Sequence, residues 1–143
     1  MTVTKTPSLA HRSFSLPTIA ASVPTARREA RQLLVAWLLA DEHPLADAAL
    51  LILSELVTNS VRHAAVSSPL SDITLTLSPD ALIIAVHDRH PTLPAPLPEA
   101  RPDGSGGRGL AIVAALADEV GGGLRVAPDE DGLGKTSTVH LPR

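Results

Sequence analysis

Two polar side chains, Glu55 and Asn59, stand four residues apart in a segment that is otherwise strongly apolar. A helix places residues at this spacing on one face. Burying such groups without partners costs about 2–7 kcal/mol, so they must face water, each other or a ligand. A glutamate can act as a general base toward water or a hydroxyl, and an asparagine oxygen suits a Mg²⁺ ion that keeps phosphate and water ligands. Arg62 and His63 continue this polar side. The same spacing is also typical of a polar stripe on a surface helix.

Asp88 is a second candidate because it ends a nearly continuous apolar run over residues 81–87. Such a run predicts a buried central strand, and sites often lie at strand ends because the following loop can fold over them. A carboxylate there can accept a hydrogen bond from an exocyclic amine such as that of adenine. An aspartate that only begins a turn fits the same position.

A glycine-rich segment, residues 104–109, leads into a predicted helix. Glycines let backbone amides approach an anion, a helix N-terminus favours phosphate, and Arg108 can add a charge-assisted contact. The segment matches G-x-G-x-x-G, but a proline-rich stretch precedes it instead of the strand that a dinucleotide fingerprint requires. A flexible linker fits the same residues. Residues 134–136 read Gly-Lys-Thr, like the end of a P-loop, yet they lie in a predicted strand without the upstream glycine.

Three helices are predicted to position these groups. Thr25 is the expected N-cap of the first helix, Pro44 suits the first turn of the second, and the glycines at 121–123 stop the third. An apolar stripe runs along each helix. The predicted helices cover residues 25–40, residues 45 to 64 or 65, and a segment that begins at Gly109.

Strands flank these helices in pairs. The order strand, helix, helix, strand, strand, loop, helix, strand, strand predicts an α/β two-layer sandwich, with a mixed, mostly antiparallel sheet and three helices on one face. The predicted strands cover residues 12–17, 73–77, 81–87, 124–127 and 135–141. We expect residues 1–11 to be a disordered tail and residues 12–143 to form one domain. A loop over residues 89–108 has no periodicity and is predicted to be a lid.

Composition narrows the function classes. The net charge of −3 and the two aromatic residues, one Phe and one Trp, argue against a nucleic-acid-binding surface. The absence of Cys removes disulfide scaffolds and thiol catalysis. No apolar run approaches the ~20 residues of a membrane span, and no signal peptide is evident, so a cytoplasmic protein is expected. Arg27, Arg28 and Arg31 fit either a solvated helix surface or a partner-binding face.

Taken together, these segments resemble the GHKL superfamily of ATP-binding domains. Residues 54–64 (SELVTNSVRHA) look like the N box of that superfamily, Asp88 stands where the G1 box aspartate stands, and residues 107–113 (GRGLAIV) look like the G2 box. More narrowly, ELVTNSVRHA, GRGLAIVAALADEVG and GKTSTVHLP are similar to bacterial anti-sigma-factor serine/threonine kinases. The resemblance covers nearly the whole chain and implies the histidine kinase-like, Bergerat-type ATP-binding fold.

The resemblance also implies a role for individual residues. Glu55 would be the general base toward a serine or threonine hydroxyl, and Asn59 would hold Mg²⁺ against the nucleotide phosphates. Asp88 would bind the adenine amine, with help from Thr136. The remaining implied cofactor-binding residues flank or cradle the phosphates and are Arg62, His63, Gly107, Arg108, Gly109 and Leu110.

The function implied is that of an ATP- and Mg²⁺-dependent protein serine/threonine kinase. Members of this kinase family typically form homodimers, hold a sigma factor inactive and phosphorylate an anti-anti-sigma partner of the STAS type, and the resemblance implies the same partners here. We expect no direct binding of this chain to nucleic acid or membrane. One motif departs from the pattern: the G1 box usually reads Asp-x-Gly, whereas this chain has Asp88-Arg89-His90. A histidine side chain there is expected to narrow or reshape the adenine pocket.

Three other functions are weighed against this one. The altered G1 box favours a binding module of the same fold that sequesters a regulator without kinase turnover. The catalytic half of a split histidine kinase would need a long dimerisation helix with a phosphoacceptor histidine, whereas His11 lies in the predicted tail. A metal-dependent hydrolase would need histidines at ligand spacing, and the six histidines are scattered.

Overall fold

The computed structural model describes residues 8–90 and 108–143, and of Arg108 it describes the backbone alone. Five strands are present in this part of the chain: β1 (Ala10–Pro17), β2 (Leu70–Leu77), β3 (Ala81–Asp88), β4 (Gly123–Pro128) and β5 (Lys135–Pro142). The α-helices are α1 (Ser22–Trp37), α2 (His43–Ala64) and α3 (Arg108–Glu119), and a short 3-10 helix, Ala40–Glu42, joins the first two. The predicted order of elements is confirmed.

The strands form one open sheet in the order β1-β2-β3-β5-β4. All four strand pairs among the described residues are antiparallel. Strands β3 and β4, which α3 connects, run in the same direction, and β5 lies between them. The predicted α/β sandwich is therefore confirmed, with a sheet that is antiparallel throughout the described strands.

One face of the sheet carries the core. Side chains alternate along each strand, so the residues that pack under the helices are every second one, such as Leu75 of β2, Ile84 of β3 and Val139 of β5, all at most 1% exposed. Helix α1 packs on β1 and β2, α2 on β3 and β5, and α3 on β5 and β4. The central helix α2 therefore lies directly above the strand that ends at Asp88.

Helix α2 and the turn before it, Ala40–Ala64, form a helical stretch that is long and apolar enough to cross a membrane by length and composition alone. The sequence analysis predicted that no apolar segment approaches the length of a membrane span, and it therefore underestimated the length of this apolar helix. Eight residues of α2 are buried inside the fold, among them Ile52, Leu53 and Leu56. We therefore interpret its apolar character as that of the core helix of the domain.

The first predicted boundaries shift toward the N-terminus. Strand β1 begins at Ala10, which pairs with Leu77, so residues 10 and 11 belong to the sheet and not to a tail; residues 1–7 lie outside the described part of the chain. Helix α1 begins at Ser22, and Thr25 is inside the helix instead of capping it. The Thr25 hydroxyl donates back to the carbonyl of Ala21 at 3.2 Å, a local bond that competes with N-capping.

The proposed lid falls mostly outside the described residues. Arg89 and His90 follow β3 without joining a helix or strand, and Arg108 already begins α3. Residues 91–107, which include Gly107, lie outside the described part. The predicted end of α3 is confirmed: the helix stops at Glu119, and the amide of Gly122 donates to the carbonyl of Ala117 at 2.8 Å.

Candidate functional site

The candidate residues gather where four elements meet. The second half of α2, the end of β3, the start of β5 and the N-terminus of α3 come together at one end of the domain. Helix α2 packs against α3 and over β3 and β5. Because of this packing, Glu55 contacts the start of α3 and Ser60 contacts the end of β3. This convergence is a product of the fold, because the residues involved lie between positions 55 and 135 of the chain.

Helix α2 presents a polar edge beside its buried face. Leu56 and Ser60 point into the core, at 1% and 2% exposure. Glu55 and Asn59 lie one position earlier on the helix and are half-buried. Arg62 and His63 in the last turn are exposed. The predicted shared face of Glu55 and Asn59 is therefore present, at the border between core and solvent.

The carboxylate of Glu55 lies against the first turn of α3. A Cβ built on Gly109 would lie 3.1 Å from Glu55 Oε2, which is tighter than ordinary van der Waals contact. Glycine at position 109 therefore makes room for the carboxylate. The partial positive charge of a helix N-terminus favours a negative group there. Within residues 8–90 and 108–143, the Glu55 carboxylate accepts no hydrogen bond and makes no ion pair, so its oxygens are available to a ligand or substrate.

Asp88 lies deeper, at the end of β3, and is 2% exposed. The hydroxyl of Ser60 on α2 donates to Asp88 Oδ2 at 2.7 Å. The other oxygen, Oδ1, accepts from the Lys135 ammonium at 2.8 Å and from the backbone N–H of His90 at 3.1 Å. The carboxylate thus connects α2, β5 and the residue in which this chain departs from the G1 pattern.

Lys135 and Asp88 form a buried ion pair. Their side chains are each 3% exposed, and the two residues face each other directly in the β3–β5 register. Gly134 permits this close approach, since a Cβ there would lie 2.8 Å from the Asp88 carbonyl oxygen. Removing one partner of a buried pair costs about 3–5 kcal/mol, because the other charge is left uncompensated. Each of the two side chains therefore depends on the other to remain charged at this buried position.

Thr136 lies on the other side of the sheet. It pairs with His87, whereas Asp88 pairs with Lys135, and neighbouring residues of a strand point to opposite faces. The structure therefore does not bring Thr136 to Asp88, although the resemblance assigned it to the same pocket. The pairing register of β3 and β5 explains this difference, because a shift of the register by one residue would exchange the faces on which Lys135 and Thr136 lie.

The described residues of the segment that resembles the G2 box lie in two environments, the core and the surface beside Glu55. Leu110 is 3% exposed and belongs to the core, so its side chain holds α3 in place and its backbone alone is near the helix N-terminus. Gly109 is half-buried beside Glu55. The side chain of Arg108, and all of Gly107, lie outside the described residues.

Sequence reasoning missed two residues of this site, Ser60 and Lys135. Ser60 follows Asn59 directly and lies on the core side of α2. Lys135 shares the alternation of β5 with Ser137, Val139 and Leu141, all buried. That alternation predicts an inward lysine, and an inward lysine needs an anionic partner. The alternation of β5 could therefore have identified Lys135 as a buried residue of the site, whereas residues 134–136 were compared only with the end of a P-loop.

On the open face of the sheet, a row of hydrogen bonds runs beside the site. His87 bonds through Nδ1 to Asp72 at 3.1 Å and through Nε2 to Asp129 at 2.8 Å. Partial burial by itself would lower the pKa of His87, but hydrogen bonds and charge from Asp129 and Asp72 outweigh it, so the pKa is raised. Arg89 pairs with Asp129 and with Asp131. These contacts hold the β4–β5 connection next to the residues that flank Asp88.

Comparison with known proteins decides the family. A family model described as the histidine kinase-like ATPase domain matches residues 16–134. This range is most of the chain and includes the site residues on α2, β3 and α3, and it ends one residue before Lys135 of β5. The chain belongs to the histidine kinase-like ATPase domain family. A search among curated proteins finds no match. A search of solved structures finds the histidine kinase domain of the Erythrobacter litoralis EL346 blue-light activated histidine kinase, with 25% identity and a TM-score of 0.49. That match covers 68% of this chain and 44% of the solved chain, so this chain spans less than half the length of that protein.

The residues of this histidine kinase-like ATPase domain fit a nucleotide unequally. Domains of this family bind ATP, usually with Mg²⁺. The phosphate side fits, since the half-buried Asn59 offers an oxygen ligand one helical turn after Glu55, the residue that lies against the N-terminus of α3. In the described residues no group of three or more His, Asp or Glu forms a metal site, so a Mg²⁺ ion here would depend on phosphate and water ligands as well. The base side differs, because the Asp88 carboxylate already has three donors.

Proposed function

We propose that this domain is an ATP- and Mg²⁺-dependent protein serine/threonine kinase that acts as an anti-sigma factor and phosphorylates an anti-anti-sigma partner. The observation that carries the proposal is the Glu55 carboxylate, which lies at the N-terminus of α3 beside Gly109 with no hydrogen-bond partner in the described residues. A carboxylate held in place by protein donors would have these lone pairs occupied. A general base must instead keep its lone pairs for the incoming proton.

The chemistry assigned to Glu55 is proton removal from a serine or threonine hydroxyl of the protein substrate. As the hydroxyl oxygen forms its bond to the terminal phosphorus, the bond from that phosphorus to the bridging oxygen breaks and ADP leaves. The hydroxyl proton moves to a carboxylate oxygen of Glu55. A positioned base of this kind contributes roughly 10²–10⁴-fold to the rate.

The other site residues bind and orient. The bound nucleotide would supply the transferable phosphoryl group, and bound Mg²⁺ would neutralise the charge of the phosphates. Asn59, one turn after Glu55 on the same helix edge, would hold the metal, and the exposed Arg62 and His63 would flank the phosphates. The N-terminus of α3 would direct its amides at the phosphates. Asp88 would receive the base at the opposite end of the site.

The partners in this proposal follow from the narrow resemblance of three segments to anti-sigma-factor kinases. They are a sigma factor, which the domain would hold inactive, and an anti-anti-sigma protein of the STAS type, which would carry the phosphorylated hydroxyl. A homodimer and a cytoplasmic location belong to the same proposal. The net charge of −3 supports protein partners over nucleic acid.

The test compares Glu55→Gln with the wild type and with Asp47→Asn, an exposed acidic residue on the same helix. Labelled ATP, Mg²⁺ and the anti-anti-sigma partner are incubated with each protein, and phosphate on the partner is counted. We expect transfer by Glu55→Gln to fall by about 10²-fold or more, with nucleotide affinity retained and Asp47→Asn unaffected. Equal transfer by Glu55→Gln and the wild type would refute the kinase proposal.

A second candidate is a binding module that sequesters a regulator without kinase turnover. The observation that favours it is the Asp88–Lys135 pair, because the carboxylate assigned to the base is already neutralised by a buried cation. Calorimetry with ATP and Mg²⁺ separates the two candidates. Absence of measurable binding at millimolar nucleotide, with the regulator still bound, supports the binding module.

A further inference from the structure

We propose that Lys135 competes with the nucleotide for Asp88. The lysine ammonium occupies the carboxylate that the proposed function assigns to the base amine, so the base end of the site is closed until a nucleotide displaces the lysine. This inference rests on the proposed function as a nucleotide-dependent enzyme. It gives a role to a residue that the motif comparison left unused, because Lys135 then sets the affinity for the nucleotide.

The first support is the occupancy of the Asp88 carboxylate. Oδ1 accepts from the Lys135 ammonium at 2.8 Å and from the His90 backbone N–H at 3.1 Å, and Oδ2 accepts from the Ser60 hydroxyl at 2.7 Å. Each carboxylate oxygen can accept about two hydrogen bonds, so Oδ1 is saturated. The position that remains on Oδ2 belongs to a side chain that is 3% exposed. A base amine therefore reaches this carboxylate only when one of the three donors moves away.

The second support is that Lys135 is the donor best able to move. Ser60 lies on the core side of α2 at 2% exposure, and His90 donates through its backbone. The ammonium of Lys135, in contrast, stands at the end of a flexible four-carbon stem, on the first residue of β5. The stem can reorient while the backbone pairing of β3 and β5 is kept. An N–H donor of the lysine is then replaced by an N–H donor of the base.

The third support is the incomplete hydrogen bonding of the ammonium in its present position. A lysine ammonium has three donors. Among the described residues, Lys135 Nζ has one acceptor, Asp88 Oδ1. Buried donors are normally satisfied by protein, water or ligand. Moving the ammonium to the surface gives all three donors water, which offsets part of the cost of breaking the ion pair.

The competition lowers the affinity for the nucleotide. A base amine is neutral, so it lacks the attraction between opposite charges that holds the ammonium on Asp88. Contacts of the phosphates at the other end of the site must therefore contribute to the displacement. The apparent affinity for a ligand falls with the fraction of protein that is competent to bind it. Because Lys135 keeps most molecules closed at the base end, removing its charge should tighten nucleotide binding.

The experiment measures the dissociation constant of Mg²⁺-ATP by calorimetry on the full chain. The proteins are the wild type, Lys135→Met, Lys135→Arg and the control Thr138→Ala, which changes the open face of the same strand. We expect Lys135→Met to bind Mg²⁺-ATP about tenfold more tightly than the wild type, or better. Lys135→Arg keeps a cation with N–H donors and should bind like the wild type, as should Thr138→Ala. A purely structural role of Lys135 would not tighten binding.

A second measurement keeps the lysine in place, because Lys135→Met leaves a buried carboxylate without its cation and can fail to fold. The chain has two lysines, Lys5 and Lys135, so Lys5→Arg leaves one lysine ammonium to observe by NMR after labelling with ¹⁵N-lysine. Burial in the ion pair slows proton exchange with water and makes this ammonium visible. We expect saturating Mg²⁺-ATP to remove the signal, because the displaced ammonium exchanges with water. Mg²⁺-triphosphate, which has no base, should leave the signal in place.

Each outcome decides a defined statement. Tighter binding by Lys135→Met, or loss of the Lys135 signal with ATP but not with triphosphate, supports the competition. If Lys135→Met folds and binds Mg²⁺-ATP no more tightly than the wild type, or if the signal persists at saturating ATP, the inference is wrong although the proposed function stands. If neither the wild type nor any variant binds Mg²⁺-ATP, the inference and the kinase proposal fail together.

Discussion

The absence of a side chain at Gly109 leaves room for the carboxylate of Glu55, the proposed general base. The carboxylate of Glu55 lies 3.1 Å from the place where a Cβ of residue 109 would be. Because the atom that would be crowded is the far end of a flexible side chain, a substitution at 109 should displace the carboxylate and leave the fold intact. The contact therefore separates an effect on chemistry from an effect on stability.

At this residue scale, we predict that Gly109→Ala lowers phosphate transfer to the partner by about tenfold or more, because misplacing a catalytic group by about 1 Å can cost 10²-fold. The free energy of unfolding should stay equal or rise by up to about 1 kcal/mol, since alanine is the better helix residue. The measurements are partner phosphorylation and urea unfolding.

The matched control for that prediction is Gly123→Ala, where a Cβ would meet nothing within 4 Å. It should leave transfer unchanged. Equal transfer by Gly109→Ala and the wild type would mean that the position of the Glu55 carboxylate does not matter for the reaction.

Among the elements, His87 connects three segments that surround the site. Its ring joins β2 through Asp72 and the β4–β5 connection through Asp129, while its chain neighbour Asp88 faces the opposite side of the sheet. The protonated ring is the form that both carboxylates favour, so the pKa of His87 is raised above its ordinary value of 6.5. Protonation of His87 therefore stabilises the folded sheet.

We expect this stabilisation to be present in full below pH 6.5, the unfolded-state pKa of histidine, and to be lost as pH rises through the higher folded-state pKa. The free energy of unfolding of the wild type should exceed that of His87→Gln by more at pH 6 than at pH 9, by about 0.5–1 kcal/mol after allowance for solvent screening. Denaturant titrations at both values provide the measurement.

His140→Gln, an exposed substitution on β5, is the control for the pH experiment and should show a smaller difference between the two pH values. If the gap between the wild type and His87→Gln were the same at pH 6 and pH 9, the charge of His87 would not contribute to stability.

Across the whole molecule, one ion pair joins residues 101 positions apart. Arg143, after β5, donates two hydrogen bonds of 2.8 Å to Glu42, between α1 and α2, and a third of 3.0 Å to the Ser78 carbonyl. The hydrogen bonds from Arg143 are the main reason that the pKa of Glu42 falls to about 2. This contact ties the helical layer to the far end of the sheet.

The pH dependence of stability expected from Glu42 is opposite in direction to that expected from His87. Its contribution to stability is present above the unfolded pKa of about 4.5 and is lost as pH falls toward 2. We predict that Glu42→Gln lowers the free energy of unfolding at pH 7 by about 1 kcal/mol or less, and that its difference from the wild type shrinks at pH 3.5. Glu119→Gln, an exposed change on α3, should have little effect at either pH. A constant difference between pH 7 and pH 3.5 would contradict the prediction.

Local patterns were sufficient for the elements of this protein. The apolar stripe of α2 and the alternation of β2 and β5 predicted the two-layer sandwich, because these periods follow from the geometry of one helix or one strand. The shared edge of Glu55 and Asn59 was predictable for the same reason, since four residues make about one helical turn. Helix ends were less predictable: α1 begins at Ser22, whose hydroxyl donates to the Pro17 carbonyl at 2.6 Å.

Contacts between distant segments required the tertiary structure. Asp88 and Lys135 are 47 residues apart, and the register that joins them results from the packing of β3 and β5 under α2. The sequence alone predicted a strand at each position, but a shift of one residue would have put Thr136 beside Asp88 and turned Lys135 to the open face. The sequence by itself therefore determined the fold class and the edge of α2 that carries Glu55. The tertiary structure decided which side chain reaches the Asp88 carboxylate, because strand register depends on side chains from both strands and from the helix that covers them.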